Sequence, residues 1–68
     1  MKRLFEYCTR DNRSHAKYLL VDHVSHIDYY DNSNVLSKVY MDDGTVLELE
    51  LKYVSKLRDI LNDWDLWN

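Results

Sequence analysis

The sequence has no proline, one glycine and one cysteine among its 68 residues. One cysteine cannot form an internal disulfide, and no pair of cysteines or histidines has the spacing of a zinc-binding motif. Chains without disulfides are typical of reducing compartments, which predicts a cytoplasmic location. Because Gly44 is the only glycine, a glycine-rich loop that cradles phosphate is excluded.

Long apolar runs are also missing. A membrane-spanning helix needs about 20 consecutive apolar residues, and no stretch of the sequence approaches that length. Residues 1–6 begin with basic side chains but lack the apolar segment of a secretory signal. We therefore expect no membrane partner.

The charge of the chain is negative and uneven. Twelve acidic and nine basic residues give a net charge of −3; residues 1–30 carry five basic and four acidic residues (+1), and residues 31–68 carry four and eight (−4). A nucleic-acid-binding domain usually has a basic patch. The basic residues cluster only at Arg10, Arg13 and Lys17, where a solvated turn explains them. We therefore expect that nucleic acid is not the partner.

Three turn signals divide the chain, at residues 11–14, 31–34 and 42–44. The third predicts a hairpin, in which residues 42–44 form a three-residue loop with Gly44 in the bulge position. That register puts Lys38 opposite Glu48, a favourable cross-strand pair. On the other face it creates an apolar row from the pairs Met41–Thr45, Val39–Leu47, Ser37–Leu49 and Val35–Leu51.

A helix is predicted after this hairpin, starting near Tyr53. Apolar residues recur there at helical spacing: Tyr53, Val54, Leu57, Ile60, Leu61 and Trp64. One amphipathic helix over a sheet is enough to close a small core. We expect the centre of that core to contain Val39, Leu47, Leu49, Leu57, Ile60 and Leu61.

The first half of the chain permits two interpretations. Residues 4–9 and 16–21 are interpreted as paired strands, and the Tyr, Val and Ile residues of segment 14–27 favour a strand there. This pairing puts Phe5 and Tyr7 beside Leu20 and Tyr18, with Cys8 opposite Lys17. Alternatively, Ser14 caps a helix within residues 14–27, so the choice between strand and helix stays open there. Residues 26–30 form a short third strand or the end of a long bent second one.

The predicted fold class is α+β, as a single domain over residues 1–68. We expect a small antiparallel twisted sheet of four to five strands, or a partial barrel, with one C-terminal amphipathic helix packed on it. A domain of this size buries a thin core, and small domains without disulfide or metal often gain stability by association.

Residues 21–61, which are 41 of the 68, resemble a recurring small β-module. The pattern is the apolar pair Val24 and Ile27, a polar turn, a strand from Val35 to Met41, the turn at Gly44, a further strand and a helix. It is similar to the small flagellar-operon proteins of the FlbD type and to the C-terminal half of LytTR-type DNA-binding domains. The second resemblance implies DNA binding through basic loop residues. In this sequence those loops carry Asp28, Asp31, Asp42 and Asp43, so no functional residue is carried over.

Reactive chemistry has few candidates. His23 and His26, with Asp22 and His15 as further candidate ligands, suggest a metal site, but residues i and i+3 of a strand point to opposite faces. Cys8 is a potential nucleophile, yet a strand thiol is usually a small packing residue. We predict no metal, no cofactor and no catalytic residue, and therefore a protein that is not an enzyme.

Apolar and aromatic residues that the predicted core does not use point to a binding surface. Aromatic side chains are enriched at protein interfaces, and tryptophan is a favoured anchor. The candidate partner-binding residues are Tyr29, Tyr30, Leu36, Tyr40, Val46, Trp64 and Trp67. Trp64 continues the helix stripe towards the core, and whether Trp67 is core or interface stays open.

Together these features predict a small acidic, non-catalytic binding protein that modulates or inhibits another protein by occupying its surface. The abundance of Tyr and Asn is typical of AT-rich genomes, which suggests a phage or mobile-element origin and action in the host cytoplasm. The first alternative is a structural or regulatory subunit that acts as a homo-oligomer, most simply a homodimer. The second alternative is a DNA-binding regulator that uses Arg10, Arg13 and Lys17.

Overall fold

The computed structural model describes the backbone of residues 3–67 and the side chains of residues 3–62. The elements, in order, are β1 (Leu4–Thr9), β2 (Asn12–Leu20), a one-turn 3-10 helix (Val21–His23), β3 (Val24–Asp28), β4 (Ser37–Met41), β5 (Val46–Leu49) and α1 (Leu51–Trp67). The α+β class and the C-terminal helix are confirmed. No helix in the described part of the chain combines the length and the apolar character that crossing a bilayer requires.

The prediction of one continuous sheet is wrong, because the five strands form two antiparallel sheets, β1-β2 and β3-β4-β5. The chain leaves the first sheet through the 3-10 turn, whose Val21 is buried and donates its backbone N–H to the Arg3 carbonyl at 2.9 Å. Strand β1 lies beside β5, but the described residues form no hydrogen-bonded ladder there that would merge the two sheets.

The strand interpretation of residues 14–27 is confirmed for most of the segment, and the helix alternative is wrong. Residues up to Leu20 belong to β2, and Val24–Asp28 form a separate strand, β3. Strand β3 pairs with β4 instead of continuing β2. The three residues between them turn the chain from one sheet into the other.

The register of the first hairpin differs by one residue from the prediction. Phe5 pairs with Leu19, and Cys8 pairs with Ala16 instead of Lys17. The turn is tighter than expected, since Thr9 already pairs with Asn12, and residues 13–15 bulge out of β2 without partners in β1. A one-residue slip moves every side chain to the other face; as a result Leu19 is buried and Tyr18, which the prediction put beside Tyr7, is exposed.

The second hairpin has the predicted register. Lys38 pairs with Glu48, and the inner row is formed by Val39–Leu47 and Ser37–Leu49. Gly44 has a φ of 93°, the left-handed conformation that a residue with a side chain rarely adopts. The predicted pair Val35–Leu51 is wrong, because the chain enters the helix at Leu51.

Helix α1 begins at Leu51, two residues earlier than expected, and the Glu50 carbonyl accepts the backbone N–H groups of Tyr53 and Val54 at 3.0 Å each. Both sheets and the helix contribute to one core: Phe5, Tyr7, Leu19, Val21, Val39, Leu49, Val54 and Leu57. Three of the six predicted core residues are fully buried, and Leu47, Ile60 and Leu61 are partly buried against them. Trp64 is also predicted to belong to the core, but its side chain is outside the part of the chain whose side chains are described.

Candidate protein-docking surface

One face of the three-stranded sheet is turned away from the core. Side chains alternate along a strand, so the burial of Ser37 and Val39 puts Lys38 and Tyr40 on the opposite side of β4. The paired residues of β3 and β5 complete this surface. We call it the outer face, and its six residues are His26, Asp28, Lys38, Tyr40, Val46 and Glu48.

An aromatic and apolar row crosses the outer face. Tyr40 lies opposite His26 on β3 and opposite Val46 on β5. The rings of His26 and Tyr40 are stacked, with centroids 4.2 Å apart and an angle of 8° between the planes. Val46 is 48% exposed. His26 and Val46 are exposed and Tyr40 between them is half-buried, so the row presents an ordered aromatic pair and an aliphatic side chain to solvent.

A charged row runs beside the aromatic one. Lys38 lies opposite Asp28 on one side and opposite Glu48 on the other. The charge therefore alternates across the three strands, with one cation between two carboxylates. Opposite charges in directly facing strand positions stabilise the pairing of the strands, and they also give the surface a pattern that a partner can match.

The predicted partner-binding residues divide into those that the outer face brings together and those that it does not. Tyr40 and Val46 are on it, as neighbours. Leu36 is half-buried and lines a pocket with Cys8, Glu50 and Glu48 of the outer face, so it borders that face without being exposed on it. Tyr29 is half-buried, and the guanidinium of Arg58 lies 4.6 Å from the centre of its ring.

Tyr30 is 44% exposed, and its backbone N–H donates to the Oγ of the buried Ser37 at 2.9 Å, so it stands at the edge of β4 rather than on the outer face. The side chains of Trp64 and Trp67 are outside the described part of the structure. Sequence reasoning missed His26 as a surface partner of Tyr40. The sequence of residues 24–28 indicates a strand that contains His26, but only the β3–β4 register shows that His26 faces Tyr40.

His23 and His26 have different partners and do not form a common metal site. His23 Nδ1 lies 2.8 Å from Asp42 Oδ2, whereas His26 stacks on Tyr40. Among the described residues, no three His, Cys, Asp or Glu side chains are grouped in a way that could hold a metal ion. The contacts of His23 and His26 are therefore those of surface polar residues.

Cys8 is half-buried next to the hydroxyl of Tyr53. Interaction with the Cys8 sulfur is the largest cause that raises the pKa of Tyr53, followed by partial burial and the charge of Glu50, while Arg13 acts in the opposite direction. Since Ala16 stands opposite Cys8, the lysine that sequence reasoning put there to favour a thiolate is on another position of the strand.

The two arginines of the first hairpin form ion pairs with Glu50. Glu50 Oε2 lies 3.7 Å from Arg10 Nε and 3.3 Å from Arg13 Nη2. Arg10 also donates from Nη2 to the Ser33 carbonyl at 3.1 Å. Glu50 is only 14% exposed, so its charge is poorly screened by water and compensates much of the positive charge of the two arginines.

Comparison with known proteins adds no assignment: no family model matches the chain, and no curated protein or solved structure matches it.

Proposed function

We propose that this chain is a small acidic, non-catalytic binding protein that docks its outer face on a protein partner and modulates or inhibits that partner by covering its surface. The observation that carries the proposal is the stacked pair His26–Tyr40 beside the exposed Val46. An aromatic pair and an aliphatic residue form the kind of patch that protein interfaces favour at their centre.

The geometry of the outer face supports docking in two ways. The two rings already rest on each other, so less side-chain freedom is lost when a partner covers them. The alternating charges of Asp28, Lys38 and Glu48 favour one orientation of a complementary partner over others, because facing like charges are costly. Affinity would come from the aromatic row and orientation from the charged one.

The proposed setting is the cytoplasm of a host cell, with a phage or mobile element as the source of the gene. Its support is compositional: one cysteine, no proline and an abundance of Tyr and Asn. The acidic residues 31–68 favour a basic partner, such as a protein that itself binds nucleic acid.

Self-association is the second candidate, and the same observation favours it. A two-fold dimer buries one patch against its own copy, and the outer face is the exposed aromatic patch of the second sheet. In the absence of the partner, a second copy would cover the face and would be displaced when the partner binds. DNA regulation through Arg10, Arg13 and Lys17 is the third candidate, and the contacts of Glu50 with both arginines weigh against it.

A pair of matched substitutions tests the docking surface. Val46→Glu puts a charge in the outer face, whereas Leu4→Glu puts the same charge on an exposed aliphatic residue, 66% accessible, of the other sheet. A tagged chain should co-purify one host protein in fixed proportion. We expect the Leu4 variant to retain that protein and the Val46 variant to lose it, because an unpaired charge is costly to bury. Both variants must keep the wild-type circular dichroism spectrum. Retention by the Val46 variant would contradict the assignment of the outer face.

A further inference from the structure

A groove of about 490 Å³ opens between the end of β2 and the β4–β5 turn. Its lining includes four apolar residues that we call the floor, Leu19, Leu20, Met41 and Leu47, and two acidic residues that we call the rim, Asp42 and Asp43, with His23 beside them. Met41 and Leu47 belong to the inner rows of their strands, so the groove lies on the other side of the sheet from Tyr40 and Val46. It is therefore separate from the outer face.

We propose that this groove binds the side chain of an arginine or a lysine in a basic segment of a partner protein. The inference deepens the proposed function, since it rests on a protein partner, but it uses a different surface of the chain. It assigns the chemistry of the bound group: an aliphatic stem that ends in a cation.

The floor suits the stem of such a side chain. Lysine and arginine bury their methylene groups along apolar surface while the charged end stays at the water interface. The four floor residues provide apolar surface, and Tyr7, which also lines the groove, is buried like Leu19. An aliphatic stem would therefore meet side chains that have little contact with water, while the carboxylates of the rim are exposed.

The rim suits the cation. Asp42 is oriented by His23, through the 2.8 Å contact of their side chains and a backbone hydrogen bond from the Asp42 N–H to the His23 carbonyl, also 2.8 Å. Asp43 accepts the backbone N–H of Thr45 at 2.9 Å. That hydrogen bond lowers the pKa of Asp43 below its ordinary value of 3.8, and even at the ordinary value the carboxylate would be ionised at neutral pH. Two carboxylates held in place by the turn need little rearrangement to receive a cation.

Other ligand classes fit this groove less well. An anion would meet two carboxylates at the mouth. A wholly apolar ligand would cover those carboxylates without replacing their hydration, which is costly. A metal ion needs more ligands than the rim supplies, because no group of three suitable side chains exists among the described residues. A cation on an aliphatic stem satisfies both the floor and the rim.

Fluorescence polarisation with a labelled hexapeptide of alternating arginine and leucine tests the inference, at about 0.15 M salt to screen long-range attraction. The test variant is Asp42→Asn with Asp43→Asn, which removes two charges but keeps an oxygen that can accept the bonds from His23 and Thr45. The matched control is Asp28→Asn with Glu48→Gln, which removes two charges from the outer face. We expect the test variant to lose about tenfold in affinity and the control less than twofold. Equal losses, or no binding by the wild-type chain, would overturn the inference.

A second readout separates the groove from the outer face. Backbone amide shifts on titration with the peptide should move at Thr45 and Leu47 and stay in place at Lys38. The Val46→Glu variant should bind the peptide as the wild type does, whatever the outcome of its co-purification test. Loss of peptide binding in that variant would put the peptide on the outer face and remove the groove as its site.

Discussion

The imidazole ring of His26 lies parallel to the phenol ring of Tyr40, with 4.2 Å between the centroids and 8° between the planes. The two residues are opposite each other on β3 and β4, although 13 residues lie between them in the sequence. The stack joins the edge strand of the second sheet to its centre. It also orders the two rings on the outer face, to which we assign docking.

This contact predicts a measurable interaction between the two side chains. In a double-mutant cycle of His26→Ala and Tyr40→Ala, urea unfolding should give an interaction free energy of about 0.2–1 kcal/mol, as for cross-strand pairs in general. The control cycle combines His26→Ala with Leu4→Ala, since Leu4 is an exposed residue of the other sheet. It should be close to additive. Additivity in both cycles would show that the stack does not contribute to stability.

The fully buried Leu49 gives the test of the core. Leu49→Ala removes buried methyl groups beside Val39, and we expect it to lower the free energy of unfolding by about 2–5 kcal/mol. Val46→Ala, three residues earlier on the same strand but 48% exposed, is the matched control and should cost less than about 1 kcal/mol. Equal effects in thermal or urea unfolding would contradict the observed facing of β5.

The second hairpin could be predicted from the sequence, and the first only in part. At residues 42–44 a single glycine in a turn of aspartates selects one loop length, and the alternation of Lys38, Val39 and Tyr40 selects one register. Residues 13–15 bulge out of β2 without any glycine to mark the irregularity. Composition therefore identifies both strands but cannot reveal the three additional residues that shift their pairing.

The division into two sheets and the full outer face could not be predicted for a related reason. The 3-10 turn at Val21–His23 contains no glycine or proline, and one aspartate is too weak a turn signal to mark the change of sheet. The link from β3 to β4 spans residues 29–36, which is too long for turn geometry to fix a register. Tyr40 and Val46 follow from the hairpin alone, whereas His26 follows only from that longer-range pairing.

Protonation of Asp43 should lower the free energy of unfolding in the acid pH range. The hydrogen bonds from Thr45, first from its backbone N–H, hold the pKa of Asp43 below its ordinary value of 3.8. A carboxyl group with a lowered folded pKa adds stability above the unfolded value, and that stability is lost as the pH falls through the folded value. Thermal melts of the wild type and Asp43→Asn should therefore differ most above about pH 5. The difference should start to shrink near the ordinary value and vanish as the pH falls below the lowered, folded pKa. A difference independent of pH would contradict this role.

The contacts of Glu50 with Arg10 and Arg13 predict that the chain does not bind nucleic acid tightly. Titration with labelled duplex and single-stranded DNA and RNA should show no sub-micromolar binding at physiological salt, because phosphate contacts need accessible cations. Glu50→Gln, which removes the compensating charge, should strengthen whatever salt-dependent binding exists. Tight wild-type binding that weakens steeply with salt would favour a DNA-binding regulator instead.

Without its partner, the chain should form a symmetric dimer through the outer face. The charged row has carboxylates at both ends and Lys38 in the middle, so a copy related by a two-fold axis can bring a lysine against a carboxylate. Sedimentation equilibrium at tens of micromolar should give twice the monomer mass. Tyr40→Glu should split the dimer, because it buries an unpaired charge, and Leu4→Glu should leave it intact. A monomeric wild type would contradict the dimer prediction, and the outer face would then be assigned to a foreign partner alone. A dimer indifferent to Tyr40→Glu would put the interface elsewhere, with Trp64 and Trp67 as the next residues to substitute.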